Sequence, residues 1–81
     1  MKKTYLKCQT KEAEFEDECL VMIPLSNGKV HSGVIEKKFF NKKGYLEIVL
    51  IEDHGEKALI MLPQDLNRKT TIVVDSKNII I

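Results

Sequence analysis

The Asn27-Gly28 pair restricts this chain more than any other feature. It sits between two apolar, β-branched stretches, Glu18 to Leu25 (ECLVMIPL) and the run from Lys29 to about Phe39. Asn-Gly is the strongest short hairpin signal, because both central positions of a type I′ turn need φ > 0. Two strands folded back on each other are therefore expected, and composition extends that expectation to the whole chain. Val plus Ile number fifteen and Thr adds four, against two Ala. Such stiff side chains suit a pleated strand and disfavour a helical bundle. At 81 residues there is room for one core.

Further strands follow at each break. Gly33 lies inside the return strand, where a missing side chain permits a sharp bend or the close approach of another strand. Gly44 restarts a strand, YLEIVLIE, with Leu46, Ile48 and Leu50 on one face. Asp53-His54-Gly55 turns, KALIMLP returns, Gln64 to Lys69 is a polar break, and TTIVV and NIII end the chain around Asp75-Ser76-Lys77. Near the N-terminus, Lys3 to Cys8 reads as extended with Tyr5 as its main apolar anchor. Thr10 to Glu18 reads as a short helix or an acidic turn, with Thr10 as the N-cap of the helix and Phe15 as its packing residue. The expected fold is all-β: a small five-stranded antiparallel barrel over residues 19–81, with an N-terminal arm and acidic helix over 1–18.

Several classes are set aside. The longest apolar run, Cys19 to Leu25, is seven residues and contains Pro24, far below the roughly 20 that span a bilayer. No apolar stretch follows Lys3, so no secretory signal is expected. Cys8 and Cys19 then read as free thiols in a reducing compartment, and a cytoplasmic location is the default. Cys8, Cys19, His31 and His54 offer metal-ligand types without paired spacing, and Ser26, Ser32 and Ser76 lack a nucleophile context. Neither an enzyme, a cofactor nor a metal site is expected.

Charge is patterned within a formal net of only +1. Lys37 to Tyr45 (KKFFNKKGY) places Lys37, Lys38, Lys42 and Lys43 beside Phe40, Asn41 and Tyr45. Cations for phosphates with rings for bases are what single-stranded RNA binding needs. Glu12, Glu14, Glu16, Asp17 and Glu18 form an acidic segment suited to a basic partner surface. Ile79, Ile80 and Ile81 end the chain as an unguarded apolar strand, so a homo-oligomer through Val73 and Ile79 to Ile81 is expected, the rival being a monomer whose tail pairs with its own first strand.

Leu25, Asn27, Gly28, Gly33 and Ile35 together resemble the first signature of Sm-like proteins, a group of SH3-like barrels that includes bacterial Hfq. The chain end IVVDSKNIII is similar to that family's second signature. The resemblance implies an RNA-binding barrel that assembles through its last strands. Where the family carries an Asn before its third strand and an Arg-Gly in its last turn, this chain has Glu47 and Asp75-Ser76. The chain also resembles the Rof-type Rho-binding inhibitors of transcription termination at Tyr5, Cys8, Glu12 to Cys19, Asn27-Gly28 and Gly55-Glu56. That likeness implies a protein-binding regulator acting through acidic N-terminal residues. A structural or assembly module is the third reading.

Overall fold

A computed structural model describes residues 3–63 and 70–81. The polar break expected over 64–69 lies outside the described residues. Eight strands occur among them: β1 (Thr4–Leu6), β2 (Gln9–Glu12), β3 (Glu18–Pro24), β4 (Val30–Glu36), β5 (Leu46–Asp53), β6 (Lys57–Met61), β7 (Thr71–Asp75) and β8 (Ile79–Ile80). One-turn 3₁₀ segments at Lys37–Phe39 and Ser76–Asn78 precede β5 and β8. The all-β class therefore holds. The strands form two antiparallel sheets, ordered β7-β6-β5-β1-β8 and β2-β3-β4, rather than one closed five-stranded barrel.

Alternation explains how two sheets share one core. β3 buries Cys19, Val21 and Ile23 and leaves Leu20 and Met22 half-buried. Its continuous apolar text suits a strand buried on both sides or one in a small barrel wall, and in the structure only one face is buried. β5 turns Leu46 and Ile48 inward, and Ala58, Ile60, Ile72 and Val74 meet them from β6 and β7. In β1 the buried residue is Leu6, with Tyr5 half-buried on the other face. Tyr5 is thus not the anchor; the period of two places Leu6 toward the core.

The N-terminal helix is absent. Gln9 to Glu12 is instead an edge strand paired with β3 from Gln9↔Met22 to Glu12↔Cys19. Glu14 to Asp17 is a turn, closed by the Glu18 N–H donating to the Phe15 carbonyl (3.1 Å). A nine-residue helix is marginal without packing. Phe15, which had to supply that packing, is 64% exposed. Pairing with β3 satisfies the backbone groups that a short helix leaves open at its ends.

The Asn27-Gly28 hairpin is present with its centre shifted by one residue. The Gly28 N–H donates to the Leu25 carbonyl (3.1 Å) and the Leu25 N–H to the Lys29 carbonyl (2.8 Å). Only Gly28 has positive φ (87°); Asn27 instead accepts the Lys29 N–H through Oδ1 (2.9 Å). This is a three-residue loop with glycine in the left-handed position. Gly33 has ordinary φ, and a Cβ built there meets nothing within 4 Å. The close approach expected at that glycine does not exist. Gly33→Ala is therefore expected to be neutral or to stabilise by about 0.4–1 kcal/mol, through lower entropy of the unfolded chain. A urea midpoint clearly below the parent's would show a hidden constraint.

Candidate functional site

The basic loop and the acidic turn, separated in the sequence, are neighbours. β3 and β4 run in uninterrupted register from Glu18↔Glu36 to Pro24↔Val30, which brings the start of β3 beside the end of β4. The Lys37 N–H donates to the Asp17 carbonyl (2.8 Å). Lys38 Nζ lies 3.3 Å from Glu36 Oε2 and 5.2 Å from the centroid of the Phe39 ring. Asp17, Glu18 and Glu36 thus lie beside Lys37 and Lys38 at one end of the smaller sheet. An exposed ion pair of this kind contributes little to stability. Its effect is to remove a continuous cationic track.

The other members of the basic loop have mixed duties. Asn41 organises the tip: Oδ1 accepts the N–H groups of Lys43 (2.9 Å) and Tyr45 (3.0 Å). Its own N–H donates to the Tyr45 carbonyl (2.9 Å), and Gly44, at φ 82°, donates to the Asn41 carbonyl (3.0 Å). This repeats the Leu25–Lys29 geometry, and it commits the carbonyl oxygen of Asn41 to the turn. Phe40 bridges to Leu46 and packs with Phe39 against the core. Tyr45 is half-buried. Lys42 and Lys43 are exposed and carry no ion pair among the described residues. Of seven residues proposed for RNA, these two cations remain the most available, with Lys37 beside the acids.

The acidic segment presents one residue that its charges had hidden. Phe15 stands between Glu14 and Glu16 at the apex of the β2–β3 turn, 64% exposed, with Asp17 also exposed and Glu18 half-buried in β3. Glu12 is exposed on β2. A tight turn with acids on both sides cannot fold its aromatic inward without burying charge. The sequence signal was available, since a single Phe among five carboxylates on a nine-residue segment has few ways to be covered.

The positions that depart from the Sm-like pattern have structural employment. Glu47 Oε1 lies 3.3 Å from Lys3 Nζ on the outer face of the larger sheet. Ser76 Oγ donates to Asp53 Oδ1 (2.9 Å), which also accepts the Gly55 N–H (2.9 Å). These two hydrogen bonds, the Gly55 one first, hold the Asp53 carboxyl below its ordinary pKa. The last turn is therefore clamped to the β5–β6 turn.

Val73 is exposed on β7 and its carbonyl accepts the Ser26 N–H (3.1 Å). Ile79 packs on the core, Ile80 pairs with Tyr5, and Ile81 is exposed. His54 Nε2 lies 3.0 Å from Glu52 Oε2 in a solvated turn, and His31 is half-buried in β4. A cavity of about 400 Å³ opens between Lys7, Cys8, Met22, Pro24, Val30 and Asn78. Both cysteines are free. Among the described residues, no three His, Cys, Asp or Glu side chains are placed to hold a metal ion, and no helix is long and apolar enough to cross a membrane. Comparison with protein-family models, with curated proteins and with solved structures finds no match to this chain.

Proposed function

We propose that this chain is a non-catalytic protein-binding module whose contact surface is the β2–β3 turn. The exposed Phe15 at the apex of that turn carries the proposal. Glu12, Glu14, Glu16 and Asp17 surround it with carboxylates, and Lys37 adjoins on one flank. A basic surface with an apolar pocket is the partner that such a knob fits. The aromatic supplies desolvated contact area, and the acids supply steering and register. The Rof-type likeness supports the same reading, since it implies acidic N-terminal residues set against a basic, RNA-associated protein.

Single-stranded RNA is the weaker alternative. A polyanion gains affinity by releasing counterions from phosphates met by cations. Here Lys38 is paired with Glu36, and the Lys37 N–H donates to the Asp17 carbonyl, which sets that lysine beside the acidic turn. Phe40 and the Asn41 carbonyl oxygen are already engaged, which leaves Lys42 and Lys43 as the free tip. A module working in transcriptional or post-transcriptional regulation in the cytoplasm fits either ligand.

The test is capture of a partner from native lysate by the parent and by Phe15→Ser, each with and without nuclease. Poly-uridine anisotropy is measured in parallel at low salt. The expected result is a nuclease-resistant partner, lost on Phe15→Ser and weakened when Glu14, Glu16 and Asp17 become amides. Tight poly-uridine binding that disappears on Lys42→Ser with Lys43→Ser, while Phe15→Ser changes nothing, would transfer the function to the basic tip.

A further inference from the structure

The two sheets have four edge strands, and three of them are guarded. β2 is four residues, all exposed, that include Lys11 and Glu12. β8 is only two residues long, and β7 has the Val73 carbonyl taken by the Ser26 N–H. β4 is different. It runs seven residues in unbroken register with β3 and has no neighbour on its other side among the described residues. Val30 to Ile35 contains no charge and no proline. Its outward side chains include Val30 (60% exposed), Ser32 and Val34 (52% exposed). Long, uncharged edges recruit another strand, and proteins that stay unpaired blunt them.

We propose that β4 pairs antiparallel with β4 of a second copy of this chain about a two-fold axis at Ser32, joining the small sheets into one of six strands. Facing residues in an antiparallel ladder point to the same side, so a two-fold pairing matches residues of one parity. Centring on Ser32 sets Val30 opposite the partner's Val34 and Val34 opposite the partner's Val30. Within each copy Leu20 already faces Val34, and Pro24 faces Val30. The row Leu20–Val34 therefore continues into the partner's Val30 and the partner's Pro24, apolar across four strands. Neighbouring registers are worse. Centring on Gly33 puts Lys29 against the partner's Lys37 and Val30 against the partner's Glu36. Centring on His31 puts Val34 against the partner's Gly28. Self-complementarity in one register identifies the occupant as a second copy rather than an unrelated strand.

Light scattering and cross-linking on the untagged chain test this. The parent is expected at twice its 9.3 kDa mass, and Val34→Lys at the single mass with an unchanged circular dichroism spectrum. Under mild oxidation Ser32→Cys is expected to form a covalent dimer. Neither the parent nor Thr10→Cys on the guarded β2 edge should do so. A parent of single mass at every concentration overturns the pairing. So does a dimer that lacks the Ser32→Cys link, or one that instead dissolves on deletion of Ile79 to Ile81. Should Val34→Lys not fold, the Ser32→Cys and Thr10→Cys comparison still decides.

Discussion

Leu6→Ala is expected to destabilise the domain by about 2–5 kcal/mol, the range for deleting a buried leucine side chain. A chain of this size has roughly 4–12 kcal/mol in total, at about 0.05–0.15 kcal/mol per residue, so much of the molecule unfolds near room temperature in the worst case. The reason is position as much as size. Leu6 is fully buried, and β1 is a three-residue strand held between β5 and β8, with Leu6 facing Leu46 on one side and Ile79 on the other. Its loss leaves a cavity at the strand that ties the chain's two ends together. Tyr5→Ala removes a larger side chain from the outer face and should cost less. Urea unfolding of both variants checks the order. A larger loss for Tyr5→Ala would mean that the outer face, not the inner one, is the covered side of this sheet.

The Cys8 thiol is expected to be slow toward iodoacetamide. Burial, the largest cause, together with the charge of Cys19 pushes its pKa from 9.0 up to about 11, against a partial lowering by a backbone hydrogen bond at Leu46. Below pH 9 that shift cuts the thiolate population on the order of a hundredfold, and the greater nucleophilicity of a more basic thiolate recovers about tenfold. About a tenfold net slowing remains relative to the urea-unfolded chain, before hindrance by the half-buried site is added. The same shift sets a pH dependence. The folded thiol keeps its proton up to about pH 11, whereas the unfolded one loses it near 9.0. The native state therefore binds more protons in that window, and this contribution to stability is full below pH 9 and is lost as pH rises through 11. Peptide-resolved alkylation rates with and without urea test the first statement. Equal rates would show that Cys8 is solvated.

Legibility followed the range of the interactions involved. The glycine hairpins and the alternation in β5 are local, so the residues that make them stand within a few positions of one another. Gly28 and Gly44 adopt the left-handed conformation that their turns require, and Leu46 and Ile48 take the inward positions that their spacing implies. Thr10 to Glu18 misled because its helix signals, a cap and early acids, are each worth a fraction of a kcal/mol to about one. Four residues of pairing with β3 outweigh them. Gly33 misled differently: the same letter serves a crowded bend and an open strand, and only the neighbours distinguish these.

The candidate sites divide in the same way. That Lys37, Lys38, Lys42 and Lys43 are cations and that Glu14, Glu16 and Asp17 are anions follows from the residues alone. Their adjacency does not, because it arises from the Glu18↔Glu36 register and the Lys37-to-Asp17 hydrogen bond, which join positions about twenty residues apart. Readable from the residues alone were a β-rich chain, its glycine turns at Gly28, Gly44 and Gly55, and the apolar side of β5, since these depend on backbone sterics and a period of two. The division of the strands into two sheets, the joining of the acidic turn to the basic loop and the open edge of β4 are tertiary. Each of those depends on which strands pair, and pairing is settled by the joint burial of Leu6, Ile23, Leu46 and Ile60 in a single core.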